Sequence, residues 1–223
     1  MTSIAENIQK VTSQLPAGVK LIAVSKFHPV AKLLEAYDAG QRLFGENHAQ
    51  EIMAKAPAAP QDVAWNFIGH LQSNKVRMIM PHIDMIHSID SIKLLNTVNK
   101  EAARIDKTVK VLLQLHVAQE ETKSGFGVDE LLTAGTLGQL EGLDHVQVCG
   151  LMAMATNTHD EKQVAREFGI VRHTFEILKE EFFSDTTCFQ ELSMGMSNDW
   201  KIAVEEGSTM VRIGTDIFGP REY

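Results

Sequence analysis

Cysteine is scarce in this sequence of 223 residues: only Cys149 and Cys188 occur, in or beside apolar segments and without the close paired spacing of a zinc site or a disulfide framework. Both are expected to be buried thiols in a reducing compartment. Lysine and arginine form no run that would track a phosphate backbone, and with a net charge of −8 nucleic acid is excluded as the expected partner. No apolar run approaches the length of a membrane span. The opening "MTSIAENIQKVTSQLP" has neither the basic nor the apolar segment of a secretory signal. A cytoplasmic protein without membrane contact is expected. Tyrosine is rare too, with only Tyr37 and Tyr223 present, which restricts any chemistry that needs a phenol.

Hydrophobic residues make up 44% of the chain, enough for one core in a domain the size of an α/β barrel. Ser3 and Glu6 have capping-box spacing, and Ile4, Ile8, Val11 and Leu15 follow a helical period, so an amphipathic helix ended by Pro16 is expected first. Short β-branched runs then alternate with helical stretches: "KLIAVS", "RLFG", "WNFIG", "MIHSI", "KVLLQLHV", "VQVCGLM", "CFQELSM" and "TMVRIG". A helix is expected after each of these strands except the last. Ser73, Asp90 or Ser91, and Asn198 are candidate helix caps, and Gly207 a candidate helix end. Eight strand–helix units imply a single (β/α)8 TIM barrel with an extra N-terminal helix, spanning residues 1–223 as one domain. A doubly wound open sheet ranks second, because no glycine-rich dinucleotide loop follows the first strand.

In such barrels the functional groups lie at the C-terminal strand ends. One of these ends holds "LIAVSKFHP", residues 21–29, in which strand parity puts Ile22, Val24 and Lys26 on one face. The first two have the character of barrel-interior residues, so the amine is expected at the barrel mouth. A lysine with a pKa of about 10.4 is unprotonated roughly one time in a thousand at neutral pH. Desolvation lowers that pKa and yields the free amine that imine formation with an aldehyde requires. On this segment alone, a lysine snorkelling to solvent is an equal alternative.

Two loops favour the first reading. "ELSMGMSND", residues 191–199, leaves strand seven through Ser193, Gly195 and Ser197, and "VRIGTD", residues 211–216, leaves strand eight through Gly214 and Thr215. Loops after strands seven and eight frequently hold a phosphate in this fold, although each alone is also ordinary turn chemistry. A lysine facing both describes a pocket for an aldehyde that carries a phosphate, and pyridoxal 5′-phosphate (PLP) is the candidate cofactor. Arg212 shares a face with Gly214 within an apolar strand and needs a partner. Either it pairs with a carboxylate such as Glu191, or it donates to the pyridine nitrogen, which would stay unprotonated and leave the ring a weaker electron sink. Lys75 and Arg77, in the first turns of "NKVRMIM", read as a solvated face or as a site for an anion. Lys123, in the loop after strand five, is a secondary candidate for cofactor capture or transfer. His70, which follows strand three, is left out of the site.

The motifs "AVSKFHP", "FGENHAQE", "WNFIGHLQSNK", "ETKSGFG", "GLMAM", "LSMGMSNDW" and "VRIGTDIFG" together closely resemble the pyridoxal phosphate homeostasis proteins, in the same order over nearly the whole chain. The resemblance implies a barrel like the N-terminal domain of alanine racemase, with PLP joined to Lys26 as an internal aldimine. It also implies phosphate contacts from Ser193, Ser197, Gly214 and Thr215, with Arg212 near the pyridine nitrogen and Asn47 close to the ring. Two positions depart from the family pattern: Phe27 stands where threonine is frequent, and Asn66 where histidine is frequent.

Three functions follow as hypotheses. The first is a carrier that stores and supplies PLP within the cell, with little or no catalysis and transient contact with PLP-dependent apoenzymes. The second is an amino-acid racemase, which needs a proton donor on each face of its planar intermediate. Lys26 serves one face only; Tyr37 is expected on the outside of the barrel and Tyr223 at a mobile end. The third, an aldolase acting through a lysine imine, would want its lysine on a later strand. The chain stops just after strand eight, without the β domain of a racemase, so the carrier is preferred and a monomer is expected.

Overall fold

The computed structural model describes residues 2–120 and 124–220. Its first helix, α1 (Ile4–Thr12), starts with the expected capping box: the Ser3 hydroxyl accepts from the Glu6 N–H at 3.2 Å and the Glu6 carboxylate from the Ser3 N–H at 2.8 Å. Ile4, Ile8 and Val11 bury one face. The helix ends at Thr12, a turn earlier than Pro16 predicts. There the Ser13 and Gln14 side chains both donate to the Lys10 carbonyl, at 3.0 and 3.1 Å, competing with the backbone ladder.

Eight strands then close into a parallel barrel in chain order: β1 (Lys20–Val24), β2 (Leu43–Glu46), β3 (Ala64–Phe67), β4 (Ile83–Ile89), β5 (Val109–Leu115), β6 (Val146–Ala153), β7 (Glu191–Ser193) and β8 (Met210–Ile213). The helices between them are α2 (Val30–Asp38), α3 (Ala49–Lys55), α4 (Val76–Ile79), α5 (Ile92–Ala103), α6 (Val128–Thr136), α7 (Glu161–Glu181) and α8 (Trp200–Glu205). Contrary to expectation, β8 is also followed by a helix, the single turn α9 (Thr215–Phe218). α9 buries Ile217 and Phe218.

The caps divide. Ser91 caps α5 by accepting from the Leu94 N–H at 3.3 Å, and Gly207 follows α8 at φ +93°, as a helix-ending glycine does. Ser73 does not cap; it sits inside a 3-10 turn, Ser73–Lys75. Asn198 does not cap either, because the turn runs one residue further and α8 opens after Asp199, whose carboxylate accepts from the Met196 N–H at 2.6 Å.

The barrel buries side chains on both strand faces. Outward residues such as Val111, Leu113, Val148 and Leu151 pack under the helices, while Met85, Leu112, Cys149, Met152 and Met210 form a separate cluster. Between Val111 and Leu112 the β5–β6 register slips, leaving Cys149 as an extra residue opposite β5. Gly150, at φ +147°, makes the slip possible, since a Cβ there would lie 1.8 Å from the Glu191 carbonyl oxygen. Cys149 is buried and Cys188 half-buried, both as free thiols. Burial, and then the neighbouring Cys188, push the Cys149 thiol up to about 12. Among the described residues no helix is long and apolar enough to cross a membrane. Among them, too, no cluster of three or more His, Cys, Asp or Glu is placed to hold a metal.

Candidate cofactor site

At the C-terminal strand ends lies a cavity of about 820 Å³ whose lining includes Lys26, Asn47, Ser197, Arg212, Gly214 and Thr215. Six of the seven expected site residues therefore share one space. The seventh, Ser193, is fully buried and holds Arg212 instead of lining the cavity.

Lys26 reaches the cavity by a route different from strand parity. β1 stops at Val24, and residues 25–28 form a turn closed by the His28 N–H on the Ser25 carbonyl at 3.1 Å. Phe27 takes φ +65° in this turn, a left-handed conformation that costs a non-glycine residue roughly 1–2 kcal/mol. α3 and the end of β2 hold the turn. Lys55 donates to the Ser25 carbonyl at 2.9 Å and to the Glu46 carboxylate at 2.8 Å, and the Ser25 hydroxyl donates to the same Glu46 oxygen at 2.6 Å. The Phe27 N–H donates to Glu51 at 2.7 Å. Glu46 is fully buried, and desolvation raises its pKa to about 7 against the opposing pull of Lys55.

Arg212 does not pair with Glu191, which instead accepts from Lys20 and Thr209. Its guanidinium donates to the Ser193 carbonyl and hydroxyl, both at 2.6 Å, and to the Ala153 carbonyl at 2.9 Å. Three of the five N–H groups are thereby fixed, and the remaining two belong to a side chain that lines the cavity. Burial lowers the Arg212 pKa to about 10, against the opposing charge of Asp199, so it stays cationic at neutral pH.

Behind Arg212 runs a chain of hydrogen bonds that sequence reasoning missed. Because the Asn66 amide oxygen can only accept, His87 Nε2 carries the ring proton and donates to it at 3.0 Å, and the Ser193 hydroxyl, itself accepting from Arg212, donates to the bare His87 Nδ1 at 3.0 Å. Asn66 in turn donates to the Phe44 and Ala64 carbonyls at 3.3 and 3.1 Å. Burial, followed by the charge of Arg212, holds the His87 pKa down at about 3, so the imidazole is neutral. Asn66 therefore has a clear role, as a neutral acceptor that sets the His87 tautomer. The missed signals were a histidine on the inward parity of "MIHSI" and the Glu51/Lys55 pair four residues apart, which reads as a surface ion pair.

Residues of the two loops line the cavity together with Lys26. Gly195 is at φ +92°, and a Cβ there would lie 2.7 Å from both Trp200 Cα and Ala203 Cβ, so only glycine lets the loop close onto α8. Gly214 lies against β1, where a Cβ would come within 3.0 Å of the Val24 carbonyl. Thr215 and Asp216 open α9, and their N–H groups have no partner within that helix.

Other candidates lie apart. Lys75 lines a smaller cavity of about 320 Å³ with His48 and His70, sharing Asn47 with the main one, and Arg77 is exposed. Tyr37 is turned outward, its hydroxyl on Asp62 at 2.6 Å and its ring under Arg42 at 3.8 Å. Lys123 and Tyr223 lie outside the described residues.

The family described as alanine racemase, N-terminal domain, matches residues 1–222. The pyridoxal phosphate homeostasis protein of Vibrio alginolyticus is 39% identical, with 100% of each chain covered. The chain belongs to the pyridoxal phosphate homeostasis protein family. PipY of Synechococcus elongatus, solved without PLP, superposes with a TM-score of 0.92 at 40% identity, covering 97% of this chain and 100% of that one. PipY has also been solved with PLP bound, and that structure superposes with a TM-score of 0.88. Alanine racemase from E. faecalis, at 17% identity and a TM-score of 0.72, shares the fold; it covers 97% of this chain and 57% of its own.

The residues of this family member fit PLP. A lysine, an arginine and two glycine-containing loops converge on one cavity. Asn47 Oδ1 is a buried acceptor with no hydrogen-bond partner among the described residues, as expected of a group that meets a ligand.

Proposed function

We propose that this protein holds PLP reversibly for delivery to other proteins, with residues 1–223 acting as one cofactor-binding domain. PLP supplies an aldehyde that a lysine amine captures and releases. Lys26 is the capturing amine. Ser197, Gly214 and Thr215 receive the phosphate, Arg212 faces the pyridine nitrogen, Asn47 flanks the ring, and Ser193 acts from beneath by holding Arg212. The observation that carries this reading is the meeting of Lys26, Arg212 and both loops at one cavity, as expected for a phosphate-bearing aldehyde.

A carrier suits the geometry better than a racemase. Tyr37 is engaged on the outer surface with Asp62 and Arg42, so its phenol is not presented to the face opposite Lys26. The protein is proposed to be cytoplasmic and monomeric and to meet PLP-dependent apoenzymes transiently.

Absorption spectroscopy tests the assignment. Protein loaded with PLP should show a visible band that borohydride abolishes and that Lys26→Ala lacks; a full-strength band in that variant would remove Lys26 from its role. Chiral analysis after incubation with L-amino acids should detect no enzyme-like turnover. Racemisation at roughly 1 per second or faster would overturn the carrier reading.

A further inference from the structure

We infer that Glu51, held by Lys55, is a positioning residue for Lys26: it fixes the backbone on the far side of the lysine while Lys55 fixes the near side. This inference deepens the proposed function and rests on Lys26 being the residue that captures PLP. The two peptide groups that flank Lys26 both end on this pair. Lys55 Nζ donates to the Ser25 carbonyl at 2.9 Å, and the Phe27 N–H donates to Glu51 Oε1 at 2.7 Å. Lys55 also donates to that same Glu51 oxygen, at 3.2 Å, so the two anchors are tied together on α3.

Two features point to positioning in preference to general stability. The first is strain at the turn itself. Phe27 sits at φ +65°, where glycine would be the relaxed choice, and such strain persists only where the surroundings over-determine it. The second is charge burial. Lys55 and Glu46 are 8% and 0% exposed at their side chains, and buried ion pairs add little net stability over apolar residues of the same size. What this cluster does is hold a short turn in one shape, with the lysine side chain directed at the cavity. The two carboxylates share the single ammonium of Lys55, and Glu46 additionally takes the Ser25 hydroxyl.

Three substitutions separate position from charge. Glu51→Gln keeps an acceptor oxygen in place and removes the charge, Glu51→Asp keeps the charge and withdraws the oxygen by one methylene, and Glu51→Ala removes both. The readout in the ligand-free chain is competitive acetylation of Lys26 against the exposed lysines, followed by mass spectrometry. The readout with cofactor is the rate constant for PLP capture. Losing a hydrogen bond to a carboxylate corresponds to about tenfold or more, so Glu51→Ala and Glu51→Asp should lower both quantities by about tenfold. Glu51→Gln should stay within about twofold of wild type. Glu51 is partly exposed, and thermal unfolding of each variant verifies that the barrel is intact. The inference is overturned if Asp performs like wild type, or if Gln is as impaired as Ala. Lys26→Ala, run alongside, keeps the two readings distinct. If it still captures PLP at full rate, the proposed function fails. If it captures none while Glu51→Ala is unchanged, only the positioning role fails.

Discussion

Replacing His87 with glutamine should change how stability depends on acid, by an amount set by its burial. In the native protein the His87 pKa is about 3, whereas in the unfolded chain a histidine titrates near 6.5. Between these values the unfolded state binds a proton that the native state refuses. The stability due to this group is therefore fully present above about pH 6.5 and is lost as pH falls toward 3. Between pH 7.5 and 5.0 the loss amounts to about 2 kcal/mol. His87→Gln cannot titrate, so it should be less stable than wild type at pH 7.5, by about 1–3 kcal/mol for the disturbed bonds to Ser193 and Asn66. That deficit should shrink by about 2 kcal/mol at pH 5.0. Urea unfolding of both proteins at the two pH values measures the double difference directly. A deficit that is the same at both pH values would refute the neutral, buried imidazole on which the Arg212 hydrogen-bond chain depends.

Glu46→Gln should move the other way. The native carboxyl keeps its proton up to about pH 7 while an unfolded one loses it near 4.5, so wild type gains about 2 kcal/mol from this group between pH 7.5 and 5.0. The glutamine variant should lack that gain in the same urea titrations, and a wild-type-like gain would exclude a raised Glu46. Gly195→Ala meets Trp200 Cα and Ala203 Cβ at 2.7 Å from a left-handed backbone, so a loss of about 2–3 kcal/mol is expected. In a chain of this size that corresponds to a fall in Tm of roughly 5–10 °C by calorimetry, and a Tm within 1 °C of wild type would contradict the close packing. Arg212→Lys presents one ammonium where a planar fork now reaches two carbonyls and a hydroxyl on two strands. Its unfolding free energy should fall by about 1–3 kcal/mol, and PLP binding should weaken in a spectral titration. Unchanged binding would separate Arg212 from the cofactor.

Much of the site was legible because its signals are local. Lys26, Ser197 of the seventh loop, and Gly214 with Thr215 announce themselves within a few residues of a strand end, and the barrel brings strand ends together. The errors were also local in kind. Ser73 and Asn198 have the right chemistry for caps, but a 3-10 turn and the Asp199 carboxylate settle where each helix starts. The turn at Lys26 ends β1 one residue earlier than the apolar run suggests, since Ser25 is drawn toward Glu46 and Lys55.

The strand–helix alternation, the capping box at Ser3 and the placement of chemistry at strand ends were determined by the order of residues, because backbone periodicity and turn preference act over a few positions. The partners of Arg212, the tautomer of His87 and the buried charges beneath Lys26 were decided only by the closed barrel. His87 meets Ser193 across 106 positions of chain and Lys55 meets Ser25 across 30. Such pairings depend on which groups the closed cylinder and the helix packed on it bring together and how little water reaches them, and these properties do not exist until the eight strands have closed.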